Sequence, residues 1–363
     1  MRRTAALIVG GGPAGSAVAI TLARGGVAPE LIERTGGAHD VVCGGFLGWD
    51  ALAILGRLGI DAYALGARPI QRLRLVSAER RVEVRLPGPA VGLSRRTLDR
   101  ALLDLAASAG AVVRRGRAVR AADADARTVR LDDGEEIAAD ALFLATGKHE
   151  LRGMARPSPE RATPPAVGLR TALPACRRLQ DALAGFIELH LFDGGYAGLL
   201  LQEDGTANLC LSVASERLSA SGGPEALIER VAGEAPLLAQ RMAGAPAPKW
   251  QAIAGVPYGW RARGTSPGLF RLGDQGAVIS SLAGDGIAIA LTSGVEAALS
   301  LLRGGPGDAS AYQAAFADRS ARPLRLADNL RRLAEAKRSR PLLMALAAVP
   351  GLAGLAAKLT RIG

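Results

Sequence analysis

The run Gly10-Gly11-Gly12-Pro13-Ala14-Gly15 constrains the fold more than any other part of the chain. It follows a short apolar stretch, residues 5–9, and opens a segment of helical character, Pro13–Arg24. In a Gly-x-Gly-x-x-Gly turn the first glycine permits a tight turn and the second lets backbone approach a pyrophosphate. The third lets helix and strand pack closely. N–H groups at the helix start then face the phosphates. The spelling alone is weak, but a second apolar strand, Glu30–Glu33, ends in an acidic residue about 20 positions on, where a carboxylate can bond an adenosine ribose. Strand, Gly-rich turn, helix and strand imply a parallel pair and a dinucleotide site with Gly10, Gly12, Pro13, Ala14, Gly15 and Glu33 at its centre.

Further along, Trp49–Leu58 reads as a helix. Leu73, Leu75, Val82, Val84 and Leu86 alternate with polar residues around 78–80, the pattern of an antiparallel hairpin with one wet face. Residues 96–109 form an amphipathic helix stopped by Gly110, and 111–114 return as a strand. Short alternating segments with an Asp133-Gly134 turn precede an apolar strand at 141–145. Segment 151–165, rich in Pro and Arg, reads as a crossover. Strands at 186–192, 199–201 and 207–213 suggest a second sheet, 224–242 is helical, 269–272 is a further strand, and a long helix starts at Gly286.

Four separated segments resemble the FAD-dependent family of aromatic-ring monooxygenases, flavin-dependent halogenases and geranylgeranyl reductases. They are the Gly-rich turn with Glu33, Ser94-Arg95-Arg96-Thr97-Leu98-Asp99, Ala145-Thr146-Gly147, and Arg271-Leu272-Gly273-Asp274. The resemblance implies an α/β fold: a Rossmann-like FAD-binding domain of glutathione-reductase, hydroxylase-like type, a mixed-sheet substrate domain and a helical C-terminus. The FAD-binding domain would comprise 1–70, 91–150 and 265–330, the substrate domain 71–90 and 151–264, and the terminal helices 331–363. It further implies that Arg95 reaches the phosphates, Asp274 binds the ribityl chain, and Gly284, Gly286 and Ile287 start a helix aimed at the flavin's pyrimidine edge. There a helix N-terminus stabilises the charge of reduced flavin near N1 and O2. Arg34, Val119, Gly147 and Gly273 belong to the same implied cofactor set. Cys43-Gly44-Gly45 resembles the Cys-Gly-Gly segment of geranylgeranyl reductases, with Cys43 and Gly44 beside the flavin. Gly194-Gly195-Tyr196 resembles a segment near the substrate cavity. Cys43 and Tyr196 are the candidate catalytic residues. For each, an inert buried thiol or a structural aromatic is the plain alternative, and Pro257-Tyr258-Gly259-Trp260 is a candidate further wall.

The implied activity is an FAD-dependent oxidoreductase, either a monooxygenase or an alkene reductase, acting on a large apolar isoprenoid or polyketide-like compound. NAD(P)H is a candidate transient electron donor. The absence of an Asp-Gly motif after the 141–145 strand departs from standard ring hydroxylases and puts the usual NAD(P)H contact in doubt. A non-catalytic prenyl-binding protein, of the kind the Rab escort proteins exemplify, is the rival from another class. The formal charge of +11 comes from scattered Arg interspersed with acids, and aromatic residues are few, so no nucleic acid is expected. Cys43, Cys176 and Cys210 are widely spaced and no His pair sits at i, i+4, so neither a disulfide framework nor a metal site is expected. The setting is read as cytoplasmic. His190 shares a strand face with Glu188, read as a solvated face. The uncharged stretch 341–357 is read either as two short helices packed on the core or as an interfacial membrane anchor.

Overall fold

In the computed structural model, which describes residues 2–156 and 166–362, the chain opens with β1 (Arg2–Val9), α1 (Pro13–Arg24), β2 (Glu30–Glu33), β3 (Phe46–Leu47) and α2 (Trp49–Leu58). Ala6, Leu7, Ile8 and Val9 are all buried, because β1 is central and covered on both faces, which demands a continuous apolar run. It pairs in parallel with β2, Leu7 against Glu30 and Val9 against Ile32. The hairpin β4 (Arg68–Ser77) and β5 (Arg80–Gly92) precedes α3 (Arg95–Ser108), β6 (Val112–Arg115), β7 (Val119–Asp123), β8 (Thr128–Leu131) and β9 (Glu136–Leu144). Then come β10 (Ala166–Leu173), α4 (Arg177–Leu183), β11 (Gly185–Phe192), β12 (Gly195–Leu201), β13 (Ala207–Ala214), α5 (Ser215–Ser221), α6 (Pro224–Glu234), α7 (Pro236–Met242), β14 (Gln251–Val256) and β15 (Leu269–Arg271). The chain ends in α8 (Gly286–Gly304), α9 (Ala309–Glu335), α10 (Arg340–Ala348) and α11 (Leu352–Leu359).

The strands form two sheets among the described residues. One runs β6-β2-β1-β9-β8-β7, with β15 also on β9, and the other runs β14-β10-β13-β12-β11-β4-β5-β3. The fold is a mixed α/β architecture with a dinucleotide-type sheet, parallel over β6-β2-β1-β9-β15 and antiparallel at its β8-β7 edge, a second mixed sheet and a helical C-terminus. The crossover segment expected at 151–165 is described only as far as residue 156, so its remainder lies outside the described residues.

Three local features differ from the sequence-based expectations. The helix expected over 224–242 breaks at Ala235 (φ −130°, ψ 70°), because Pro236 has no N–H to continue the first helix and starts the second instead. The strand expected at 199–201 starts earlier, at Gly195, where Phe192 pairs with Gly195 across a tight turn. The Glu188–His190 face is not solvated: both residues are fully buried. Arg74 Nη1 donates to Glu188 Oε1 at 2.5 Å, and Arg241 on α7 donates to both oxygens at 2.9 and 3.0 Å. Sequence spacing cannot show that a helix from a distant segment covers this face.

Small residues set the packing that matters most for the site. α8 crosses α1 so closely that a Cβ on Gly294 would lie 2.3 Å from the Ala14 carbonyl oxygen. Glycine there allows the two helices to begin side by side at the edge of one cavity.

Candidate active site

A cavity of about 940 Å³ lies between the two sheets and is closed on one side by the C-terminal helices. At one end, Gly10 has φ +108°, and a Cβ on it would sit 2.4 Å from the Ala145 carbonyl oxygen, so only glycine fits. A Cβ on Gly15 would lie 1.9 Å from the Gly10 oxygen. Gly15 therefore serves the close approach of helix and strand beneath the turn, while Gly10, Gly12, Pro13 and Ala14 face the cavity. The first turn of α1 carries no acidic residue and its N-cap, Gly12, has no side chain to bond the helix amides. Those N–H groups are left for an anion.

The Glu33 carboxylate is fixed beside this turn. Its Oε2 accepts from Gly11 N at 2.7 Å, and its Oε1 accepts from Thr35 N at 2.9 Å and Thr35 Oγ1 at 2.7 Å. Arg34 Nη2 lies 3.0 Å from His149 Nε2. Burial, followed by the charge of Arg34, holds the His149 imidazole below its ordinary pKa, which favours the neutral ring that can accept from the guanidinium. Arg95 passes Gly12, whose Cβ would be 3.3 Å from Nη2, and forms a two-pronged pair with Asp99 at 2.6 and 2.8 Å. Burial opposes its charge, but the Asp99 carboxylate outweighs that and raises the pKa, so Arg95 is a permanent cation at the phosphate end. Ser94 caps α3 by accepting from Thr97 N at 3.1 Å, and Glu203 accepts from Ser94 N and Oγ. Val119 and Gly147 also face the cavity.

Gly273 (φ +52°) and Asp274 form the next wall. Ser293 on α8 accepts from Gly273 N at 2.8 Å, and Lys148 Nζ sits 3.3 Å from the Asp274 carboxylate. That carboxylate is the main reason the Lys148 ammonium is held above its usual pKa. Two side chains that sequence reading missed clamp this region. Arg156 donates to the carbonyls of Asp274 (3.0 Å) and Lys148 (2.9 Å), and Gln275 Nε2 to those of Gly147 (2.8 Å) and His149 (2.9 Å). Gly284, Gly286 and Ile287 line the cavity where α8 begins, again with no acidic side chain in the helix's first turn.

Asp285, the N-cap of α8, is fully buried. Arg361, almost at the end of the chain, reaches it at 2.5 Å, lies 3.8 Å from Asp50 on α2, and stacks 4.4 Å over the Trp49 ring. Burial pushes the Asp285 carboxyl up to about 7, Arg361 works against that and Asp50 adds to it. No local pattern announces this contact, because Arg361 lies 76 residues from Asp285 and still further from Asp50.

Cys43 and Gly44 also line the cavity, near Arg95, in a loop whose carbonyls are held from the second sheet. Asn208 Nδ2 donates to the Cys43 oxygen (3.0 Å) and the Gly44 oxygen (2.8 Å). Arg170 Nε donates to Asn208 Oδ1 (2.8 Å), and Arg170 is paired with Asp40 at 3.0 Å. Gly45 is left-handed (φ +69°), and a Cβ there would be 3.0 Å from the Leu93 oxygen. Cys210 also faces the cavity; burial, and then the nearness of Cys43, pushes its thiol up to about 12, so it is inert. Tyr196 and Tyr258 are buried and share one hydroxyl, Ser281 Oγ, at 2.5 and 2.7 Å. Tyr258 OH continues to Ser212 Oγ at 3.2 Å, while Trp260, from the same segment, is buried in an adjoining cluster. Burial raises the Tyr196 pKa well above its ordinary value, so its phenol stays protonated.

This geometry, two helix N-termini on one cavity with a fixed acid, a fixed guanidinium and a Gly-Asp turn between them, is that of an FAD-binding oxidoreductase. The FAD binding domain family model matches residues 3–148, and the chain is an FAD-dependent oxidoreductase. Over 329 residues it is 28% identical to a menaquinone reductase of Mycolicibacterium smegmatis, covering 85% of this chain and 78% of that protein. A menaquinone reductase of Mycobacterium tuberculosis is 28% identical over 305 residues, 79% of this chain and 74% of that one. Among solved structures, a geranylgeranyl bacteriochlorophyll reductase-like protein of Thermoplasma acidophilum superposes with a TM-score of 0.81 at 18% identity, covering 99% of this chain and 95% of that one. A flavin-dependent brominase gives 0.77 at 16% identity, over 99% and 93% of the two chains. These structural likenesses establish a shared fold.

The residues present fit FAD. The cradle at Gly10 and Gly12 has no room for a side chain on its strand side, and the α1 amides have no capping group. Glu33 suits the adenosine ribose, Arg95 the pyrophosphate and Asp274 the ribityl chain, and the start of α8 suits the flavin ring.

Proposed function

We propose that the protein saturates carbon–carbon double bonds in a long isoprenoid chain, of the kind a prenylated quinone carries, with FAD as the redox cofactor. The observation that carries this reading is the cavity. It runs from the Cys43-Gly44 loop to the C-terminal helices, with Leu73, Leu75, Ile187, Leu189 and Leu200 on its sheet side and Leu343, Leu346 and Leu352 on its helix side. FAD would fill the part of this cavity lined by Gly10, Glu33, Arg95 and Asp274, and the apolar part is what is left for a substrate. Walls of this kind bind by burial of apolar surface and offer almost nothing to a polar substrate. The names of the two bacterial relatives point to the same class of compound.

Bound FAD, reduced by a nicotinamide or another donor, would supply a hydride to one alkene carbon. The protein's own residues hold the chain and exclude water. The hydroxyls of Tyr196, Ser281 and Tyr258 at the cavity wall are the groups that could deliver a proton to the other carbon. Cys43 sits in the loop beside this space and would help shape it.

The reading is tested by reducing the purified yellow protein under anaerobic conditions and adding a prenylated quinone. A product heavier by two hydrogens is expected. A product heavier by one oxygen, formed only in air with NADPH, would assign a monooxygenase instead. Colourless protein that binds prenyl chains and takes up no FAD would assign the non-catalytic class.

A further inference from the structure

α10 and α11 meet at 106° across the Pro350-Gly351 break, and no charged residue occurs from position 341 to 357. The two helices have two apolar faces. One carries Leu343, Ala347, Leu352 and Ala356 into the cavity. The other leaves Leu342 at 55%, Val349 at 49% and Leu355 at 51% exposure, and Leu346, at 39%, belongs to both. Four of the eight large apolar side chains that are exposed among the described residues lie on this short pair. Lys337 and Arg338 stand exposed at one end and Lys358 at the other, while the nearby Glu335 is turned inward onto Arg331 at 2.6 Å. Arg361 ties the far end of the pair to Asp285 at 2.5 Å.

We propose that this outer face of α10–α11 seats the enzyme on an anionic lipid bilayer, with Leu346, which both lines the cavity and is exposed, turned to the lipid. An uncharged face flanked by lysine and arginine matches a surface that is apolar inside and negative at its headgroups. Each helix has fewer than ten residues and rises about 1.5 Å per residue, too short for a core of about 30 Å, so the pair lies along the interface and does not cross it. A substrate with a long isoprenoid tail could pass from the bilayer to the cavity without entering water. That consequence rests on the proposed function; the docking itself does not.

FAD-loaded full-length protein is floated with phosphatidylglycerol/phosphatidylcholine vesicles and, separately, with phosphatidylcholine alone. Flotation with the anionic vesicles and a marked loss with the neutral ones are expected. The triple substitution Leu342→Glu/Val349→Glu/Leu355→Glu, whose residues do not line the cavity, should reduce the floated fraction about tenfold. Lys337→Gln/Arg338→Gln/Lys358→Gln should lower flotation on anionic vesicles alone. FAD absorbance and unfolding temperature serve as controls for folding. Wild-type protein that stays at the bottom of the gradient, or a triple variant that floats as wild type does, overturns the proposal. So does sedimentation showing a lipid-free dimer that the same variant dissociates, which would make a second copy the occupant. Saturation of a detergent-dispersed prenylated quinone is assayed in parallel: its absence alongside normal flotation would sink the reductase reading and leave the docking surface standing.

Discussion

Glu33 and Asn208 show how differently two polar side chains reach the same site. Glu33 ends β2 and accepts three hydrogen bonds, so its carboxylate is already aimed before a ribose arrives. A charged hydrogen bond is worth about 1.5–3 kcal/mol, and Glu33→Ala is expected to weaken FAD binding about 10- to 100-fold, as read by fluorescence titration of the apoprotein. Asn208 donates to the carbonyls of Cys43 and Gly44 and accepts from Arg170, so it contacts the loop and no part of the Gly-rich turn. Its change to Ala frees that loop, so FAD should remain bound while turnover falls, and steady-state kinetics on cofactor-saturated protein checks this. An equal loss of FAD and of turnover would count against a separate role for the loop. Glu33 was legible in the sequence because a carboxylate at a strand end has a fixed offset from the Gly-rich turn. Asn208 was not, since it arrives from a strand of the other sheet and no spacing relates it to Cys43.

At the level of elements, the convergence of α1 and α8 positions both ends of a dinucleotide. Gly294→Ala would bring a methyl carbon against the Ala14 carbonyl. Overpacking of this kind costs about 1–3 kcal/mol, and here it also moves the helix starts apart. Lower thermal stability and faster loss of FAD on dilution are both expected. Loss of stability with unaltered FAD retention would mean that the crossing does not set the cofactor geometry. Both helices could be recognised from sequence, α1 by its turn and α8 by the glycines before it, while their crossing depends on side-chain volumes meeting across separate segments. The same holds for α7, whose Arg241 buries the Glu188 face that alternation alone marks as wet.

Over the whole molecule, Arg361 ties the end of the chain to the start of α8. Removing one partner of a buried ion pair typically costs about 3–5 kcal/mol, and Arg361→Ala, which strands both Asp285 and Asp50, should lower the urea midpoint accordingly. Asp285 has a folded-state pKa raised to about 7, against an unfolded value of about 4. The folded protein therefore holds a proton that the unfolded chain releases. The stabilisation is fully present below about pH 4 and is lost as pH rises through about 7. Urea unfolding from pH 4 to 8 should show this decline, and Asp285→Asn should flatten it; an unchanged slope in the variant would assign the titration elsewhere. By itself the sequence determined the dinucleotide turn, the order of strands and helices, the cofactor and many of the residues that line the cavity, because these rest on local geometry and on offsets along one βαβ unit. Tertiary structure alone decided what closes the cavity, what holds the Cys43 loop and which sheet face is buried. Each of those depends on groups brought together from distant parts of the chain, where no period or spacing records the meeting.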